Sequence, residues 1–127
     1  MDKIENVFIA DEAQLLVPKI IHKAIASDTW VTMDFATRLR RRGESLVIIT
    51  QSPSNIEDDI RKNAQNIFIL GLQDPRDIEV VAGMLGCVHI NEVYFSNILT
   101  SLKRRKAIVK TPLCKNQFLI RASKVKL

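Results

Sequence analysis

A short apolar run near the N-terminus most constrains the fold of this chain, because it passes without a break into two acidic residues. The run extends from Val7 to Ala10, and Asp11 and Glu12 follow it directly. A continuous apolar run of this length is typical of a parallel strand that is buried on both faces of its sheet. The two carboxylates are then expected at the carboxyl end of the strand, where open α/β sheets bind their ligands.

Two interpretations of this acidic pair are open. In nucleotide-hydrolysing proteins such a pair is the Walker B element, in which the first acid holds hydrated Mg²⁺ and the second orients and polarises the attacking water. That interpretation assigns the metal to Asp11 and the catalytic role to Glu12. The other is a buried strand that happens to end in two solvated acids, since short motifs often match by chance.

The size and composition of the chain indicate an ordinary globular protein. Its 127 residues suit a single domain, residues 1–127, that can bury one core. No apolar run approaches the roughly 18 residues that span a bilayer, and the N-terminus lacks the basic and apolar regions of a signal peptide. We therefore expect a cytoplasmic protein without a membrane partner. The two cysteines and two histidines lack metal-site spacing and predict no metal centre.

The charges are unevenly distributed along the chain. Residues 1–100 contain 10 Lys/Arg and 14 Asp/Glu, whereas residues 101–127 contain 9 Lys/Arg and no acid, a net of +9. Such a basic segment indicates either a polyanion partner or an acidic protein surface nearby. Its densest part is the candidate nucleic-acid contact and consists of Lys103, Arg104, Arg105 and Lys106.

Further apolar runs predict four more strands. Residues 46–51 form a β-branched run that ends in Thr50 and Gln51, and residues 66–70 form a third run that Gly71 closes. The weaker patterns at 107–110 and 118–121 predict a C-terminal β-hairpin.

Helix signals separate the first three strands. Pro18 suits the first position of one helix, and a second is expected to end in consecutive arginines followed by Gly43. The Ser54–Glu57 capping box predicts a short helix to about residue 64.

Two more helices are predicted in the second half of the chain. Asp74 and Pro75 begin a helix that Gly86 ends, with Ile78, Val81, Ala82 and Leu85 at helical spacing. Another extends from about residue 91 to 102 and is predicted to pack through Tyr94, Ile98 and Leu102.

The order of these elements predicts an α/β fold with a mainly parallel sheet flanked by helices, followed by the hairpin. If the first three strands are parallel, their ends bring Asp11, Glu12, Gln51 and Gly71 to one edge. Gln51 can donate and accept hydrogen bonds, so it either contacts a γ-phosphate or attacking water or simply opens a loop. The arginine run at 38–42 is either a solvated helix end or an arginine finger, which stabilises transition-state charge in a neighbouring subunit.

Three segments taken in order resemble the HerA/FtsK superfamily of P-loop ATPases, and within it the HerA-type DNA helicase-translocases, relatives of conjugation ATPases. The segments are VFIADEAQ, LRRRGESLVIITQSPSNI and NAQNIFILGLQDPRDIEVVAGMLG, and the resemblance covers about residues 6–110. In that family a strand ending in Asp-Glu-Ala precedes a basic segment with glycine and a strand ending in Thr-Gln. A further strand then leads to a helix that begins near an Asp.

The resemblance implies a RecA-like P-loop NTPase core and a role for each candidate residue. Asp11 matches the magnesium-side acid, Glu12 the catalytic glutamate and Gln51 the polar sensor of the nucleotide. The arginine finger falls on Arg40, with Arg41 as the neighbouring candidate. The family also implies double-stranded DNA, a ring-shaped homo-oligomer, a nuclease partner and a role in DNA repair.

One departure from the family limits these expectations. The sequence contains no G-x-x-x-x-G-K-[ST] phosphate loop, and its four glycines cannot form one. The chain therefore resembles the C-terminal half of a hexameric ATPase that translocates or unwinds double-stranded DNA. ATP and Mg²⁺ are expected only together with the missing N-terminal half. The alternatives are a non-enzymatic DNA-binding or assembly module that kept the scaffold, and an α/β domain unrelated to nucleotides.

Overall fold

The structure, a computed structural model, describes residues 6–19, 38–39, 41–87 and 92–123. The chain divides into two units, Met1–Lys62 and Asn63–Leu127. The expectation of one domain stays a prediction. Most of the first two predicted helices, residues 20–37, lies outside the described residues.

The first unit contains a parallel pair of strands. Strand β1, Val7–Ala10, lies beside β2, Ser45–Ile48, in a register that sets Val7 opposite Ser45 and Ala10 opposite Ile48. The pairing continues past β2, because the Ile49 N–H donates to the Ala10 carbonyl at 2.8 Å. The predicted parallel arrangement of these two strands is therefore confirmed.

The predicted burial of β1 on both faces is wrong. Val7, Phe8 and Ile9 are 55%, 40% and 68% exposed. Among the described residues, the sheet that contains β1 has two strands, so β1 lacks there the interior position that a larger covered sheet gives its strands.

The buried cluster of the first unit lies beyond the carboxyl ends of these strands. Ala13, in the 3₁₀-helix Ala13–Leu15, is buried together with Val17 and Ile56. Ala10, Ile48 and Ile60 pack against this cluster. The strands therefore end against the described core of the unit.

Pro18 does not begin a helix, contrary to the prediction. It forms an antiparallel β-bridge with Ile56. The Lys19 N–H donates to the Asn55 carbonyl at 2.7 Å, and the Glu57 N–H donates to the Val17 carbonyl at 3.0 Å. These contacts between distant segments fix Pro18 in an extended conformation, which its φ also allows.

The short helix predicted from the capping box at 54–57 is present, but its predicted start is wrong. Pro53–Asn55 forms a 3₁₀-helix, and Ile56 is extended with φ −87° and ψ 141°. The α-helix begins only afterwards, as α1, Asp58–Lys62. By contrast, the predicted helix end at Gly43 is confirmed, because Arg41 is helical and Gly43 has the left-handed φ of 74°.

The second unit contains a three-stranded antiparallel sheet. Its strands are β3, Ile67–Ile69, β4, Lys106–Lys110, and β5, Phe118–Arg121, in the order β3-β4-β5. The pairing of β4 with β5 confirms the predicted hairpin. Because β3 pairs with β4 in this sheet, the prediction that Gly71 shares a sheet edge with Asp11 is wrong.

Helix α2, Pro75–Leu85, confirms its sequence signals in detail. The Asp74 side chain accepts a hydrogen bond from the Arg76 N–H at 2.8 Å, and Gly86 has φ 76° at the other end. Its predicted apolar face is buried at Ile78, Val81 and Leu85.

Helix α3, Glu92–Thr100, differs in part from its predicted packing. Leu102, just beyond its end, packs against the core as predicted, and Ile98 is half-buried. Phe95 and Leu99 are buried, whereas Tyr94 is 63% exposed. The sequence offers two adjacent apolar stripes at four-residue spacing, 94/98 and 95/99, so periodicity alone does not select between them. Leu99 packs with the residues of α2 and with Ile69 in the core of this unit.

The two units together form a mixed α/β fold with a small parallel sheet, helices and a C-terminal hairpin, as predicted. Among the described helices, none is long and apolar enough to cross a membrane.

Candidate functional site

The two acids of the sequence motif lie in a tight turn directly after β1. Both Asp11 and Glu12 are exposed, and Glu12 has the left-handed backbone angles φ 49° and ψ 47°. The Asp11 Oδ1 atom accepts a hydrogen bond from the Glu12 N–H at 2.9 Å. The turn therefore presents two carboxylates to solvent at the carboxyl end of β1.

Backbone hydrogen bonds that follow the turn hold it in place. Ala13, which is fully buried, donates its N–H to the Ile49 carbonyl at 3.0 Å. The Glu12 carbonyl accepts from the Leu15 N–H at 3.0 Å. A left-handed conformation costs a residue with a side chain about 1 kcal/mol, and these contacts offset that cost.

A polar contact also joins the turn after β1 to the end of β2. The Thr50 hydroxyl donates to the Gln14 Oε1 atom at 2.7 Å and accepts from the Ser52 N–H at 3.1 Å. Both side chains are half-buried. Sequence reasoning missed Gln14 because its partner lies 36 residues away, and no local pattern signals such a contact.

Gln51 follows Thr50 directly and is exposed. Because β1 and β2 are parallel, their carboxyl ends lie at the same edge of the sheet. The structure therefore brings Asp11, Glu12 and Gln51 to one edge. Arg41 is exposed and precedes the amino end of β2, and Arg40 lies outside the described residues.

The candidate edge suits the metal part of a nucleotide site. Mg²⁺ binds oxygen ligands and is usually held by one or two carboxylates together with substrate phosphates and water. Asp11 supplies an exposed carboxylate of this kind. The described residues contain no group of three His, Cys, Asp or Glu side chains that forms a metal cage by itself. The residues at this edge fit a magnesium site in which substrate phosphates and water supply the other ligands. The sequence contains no phosphate loop.

A second charged group in this unit has a structural role. Asp58 forms an ion pair with Arg61 in α1, and its Oδ1 atom lies 3.6 Å from the Lys19 ammonium. Burial raises the pKa of the Asp58 carboxyl, but the Arg61 guanidinium and Lys19 together outweigh it and hold the pKa below 3.8. The contact between Asp58 and Lys19 therefore links α1 to the segment that follows Val17.

The predicted nucleic-acid residues lie in the other unit. Lys103 and Arg104 are exposed, and Arg105 and Lys106 are half-buried. The first three lie in the turn between α3 and β4, and Lys106 is the first residue of β4. These four residues are called the basic turn 103–106. The candidate residues of the sequence analysis therefore form two separate groups, an acidic one in the first unit and a basic one in the second.

Comparison with known proteins identifies solved structures with a similar fold. No protein-family model matches the chain, and no curated protein matches it significantly. Solved structures do match. The genome packaging NTPase B204 from Sulfolobus turreted icosahedral virus 2, in complex with ATP-gammaS, is similar over 94% of this chain and 52% of that chain, with a TM-score of 0.65 and 14% identity.

The same viral protein in complex with AMPPCP is similar over 89% of this chain and 52% of that chain, with a TM-score of 0.62 and 15% identity. The chain thus spans about half the length of the structures it matches. At this level of identity the similarity shows the fold alone. The chain has part of a P-loop NTPase-like α/β fold.

Proposed function

We propose that this chain supplies the hydrolysis half of a HerA/FtsK-like hexameric ATPase that translocates or unwinds double-stranded DNA. One observation carries the proposal: Asp11 and Glu12 share a sheet edge with Gln51 through a parallel strand pair. The fold similarity to a genome packaging NTPase solved with ATP-gammaS supports the same assignment.

The exposed side chains at this edge have distinct chemical roles in the proposal. Asp11 holds the hydrated metal, and Glu12 accepts a hydrogen bond from the attacking water and polarises it. Gln51 contacts the same water or the terminal phosphate, because its amide both donates and accepts. A bound magnesium ion neutralises charge on the phosphates.

The phosphate-binding part of the site must come from outside this sequence. Backbone amides and a lysine normally hold the phosphates, and the sequence contains no loop of that kind. The isolated chain is therefore expected to hydrolyse no ATP and to bind it no more tightly than about 1 mM. Isothermal titration calorimetry tests this, and micromolar binding by the isolated chain would contradict the proposed division of the site.

The central test uses a protein reassembled with a segment that supplies the phosphate loop. In it, Glu12→Gln is expected to abolish DNA-stimulated ATP turnover and to leave ATP binding unchanged. Glu79→Gln is the matched control, because Glu79 is exposed and belongs to the other unit. Near-normal turnover by Glu12→Gln would show that Glu12 is not the catalytic carboxylate.

The arginine finger is proposed to act between subunits. Arg41 and its neighbour Arg40 precede the amino end of β2, whereas Asp11 and Glu12 lie at the carboxyl edge. An arginine there serves a neighbouring subunit more readily than its own site. Mixing Arg40→Ala with Glu12→Gln subunits is expected to restore some activity, because some interfaces then contain both groups. If the mixture stays inactive, Arg40 is not the finger. Either Arg41 is the finger, or the chain supplies no arginine finger.

A non-enzymatic DNA-binding or assembly module is the second candidate function. The basic turn at 103–106 and the missing phosphate loop favour it. The reassembled protein separates the two candidates. Binding of duplex DNA without any stimulated ATP hydrolysis supports the module, and turnover that depends on Glu12 supports the ATPase.

A further inference from the structure

The turn between α3 and β4 lines a cavity in the second unit. The cavity has a volume of about 310 Å³, and its wall consists of the basic turn 103–106 with Leu70, Gly71 and Leu102. This volume lies at the lower end of the range for small-molecule pockets, roughly 300–1,000 Å³. The cavity is therefore large enough for a single monomer of a polymeric ligand.

Backbone contacts hold the basic turn in place. The Lys106 N–H donates to the Lys103 carbonyl at 3.0 Å, and the Arg105 carbonyl accepts from the Ala122 N–H at 2.8 Å. Arg105 has the left-handed φ of 68°. A Cβ atom added to Gly71 would lie 3.8 Å from the Leu102 Cβ, so a side chain at this position would contact Leu102.

The cations of this turn lack acidic partners in the part of the chain that the structure describes. The ion pairs found there join Lys19, Arg61 and Lys62 to aspartates of the first unit. Lys110, in the strand that follows, differs because its ammonium donates to the Met84 carbonyl at 2.7 Å. Adjacent uncompensated cations repel one another, and a bound anion relieves this repulsion.

The remaining wall of the cavity is apolar. Leu70 is 68% exposed beside the cations, and Leu102 is half-buried. A ligand that fits this surface carries several negative charges and has an apolar part close to them. The sugar–phosphate backbone of a nucleic acid has both features, and its phosphates are contacted without regard to base sequence.

We propose that the turn 103–106 and its cavity bind the sugar–phosphate backbone of a nucleic acid, with phosphates on the cations and a sugar against Leu70 and Leu102. This site lies in the second unit and needs neither ATP nor the acidic edge of the first. Its failure would therefore leave the proposed ATP hydrolysis untouched, and loss of ATP hydrolysis would leave this site intact.

The test measures binding of the full chain to a fluorescent 20-base-pair duplex and to the corresponding single strand, without nucleotide, at several salt concentrations. The double variant Lys103→Ala/Arg104→Ala is expected to weaken duplex binding about tenfold. It should also reduce the slope of log affinity against log salt by about 1.8, because each lost phosphate contact contributes about 0.9. Both side chains are exposed, so folding is expected to persist, and circular dichroism checks this.

A matched control removes the same charge elsewhere. Arg76 and Lys115 are exposed and do not line the cavity, so Arg76→Ala/Lys115→Ala is expected to change affinity less than twofold. Leu70→Ser probes the apolar wall and is expected to weaken binding about threefold without changing the salt slope.

Three results would overturn the proposal. Equal losses in the two double variants would show general electrostatic attraction without a site. Displacement of the duplex by polyglutamate at the same charge concentration would point to an acidic protein surface as the partner. Equal displacement by ATP would make the cavity a mononucleotide site.

Discussion

The described residues of the two units differ in the contacts that stabilise each unit. In the second unit the described core contains six buried residues from β3 and helices α2 and α3: Ile69, Ile78, Val81, Leu85, Phe95 and Leu99. In the first unit the described cluster contains three, Ala13, Val17 and Ile56, while β1 leaves large apolar side chains exposed. Among the described residues, the apolar cluster of the second unit is therefore the larger one, and the first unit adds a specific polar contact between its strand ends.

Their charges differ as well. Residues 1–62 contain 9 Lys/Arg and 10 Asp/Glu, whereas residues 63–127 contain 10 Lys/Arg and 4 Asp/Glu. The acids proposed for hydrolysis therefore lie in a nearly neutral unit, and the cations proposed for nucleic-acid binding lie in a basic one. We therefore expect that substitutions in the core of the second unit change stability and that substitutions at the acidic edge of the first change the proposed chemistry.

The largest effect is expected from the core of the second unit. Leu99 is fully buried, so Leu99→Ala removes apolar contacts and leaves a cavity that costs about 3 kcal/mol of unfolding free energy. Urea denaturation followed by circular dichroism measures the loss. Leu113→Ala makes the same chemical change at a residue that is 92% exposed and should have almost no effect. A loss below about 1 kcal/mol in Leu99→Ala would remove the proposed difference between the units.

The candidate site should show the opposite behaviour. Gln51 is exposed, so Gln51→Ala is expected to leave the urea midpoint unchanged. In the reassembled ATPase it should lower kcat about tenfold, equivalent to about 1.4 kcal/mol of transition-state stabilisation. Gln65→Ala, at an exposed glutamine of the second unit, is the control. Equal turnover in both variants would leave Gln51 as a loop residue without a sensor role.

The polar link between the strand ends should contribute about 1 kcal/mol. Gln14→Met removes the acceptor of the Thr50 hydroxyl, and Thr50→Val removes that hydroxyl together with its bond from the Ser52 N–H. A double-mutant cycle on unfolding free energy isolates the Gln14–Thr50 term. A coupling energy near zero would show that polar contacts do not hold the strand ends together.

The smallest effect concerns the ion pair of α1. Because the pKa of Asp58 is lower in the folded chain than its ordinary 3.8, the carboxylate stabilises the fold above that pH. The contribution disappears as the pH falls through the folded-state pKa. Asp58→Asn is expected to cost about 0.5 kcal/mol at pH 7, since the pair is partly exposed. At pH 2 the variant and the wild type should be equally stable, and a difference that persists there would assign the effect to packing.

Local signals predicted the elements whose stabilising contacts are themselves local. Helix α2 has its cap at Asp74, its apolar face and its terminal glycine within one short stretch, and all three were readable from the sequence. The hairpin of β4 and β5 is similarly local. The acidic edge was also predicted, because a strand followed by two acids is a contiguous pattern.

Elements that depend on distant contacts were not predictable in this way. The bridge between Pro18 and Ile56 takes these two residues out of the predicted helical conformation, and β3 takes its partner from a strand about 40 residues later. In α3 two apolar stripes compete, and packing against α2 and β3 selects Phe95 and Leu99. The Gln14–Thr50 contact belongs to the same class, since neither residue carries a local signature.

The left-handed backbone at Glu12 has a consequence for any attempt to improve this chain by selection for heat resistance. Glycine and asparagine adopt that conformation with less strain, but neither supplies a carboxylate. Aspartate tolerates it and keeps the acid, yet its shorter side chain withdraws the carboxylate by one methylene group. A library selected for thermal tolerance alone should therefore become enriched in more stable variants at position 12 that lack the carboxylate proposed to polarise water.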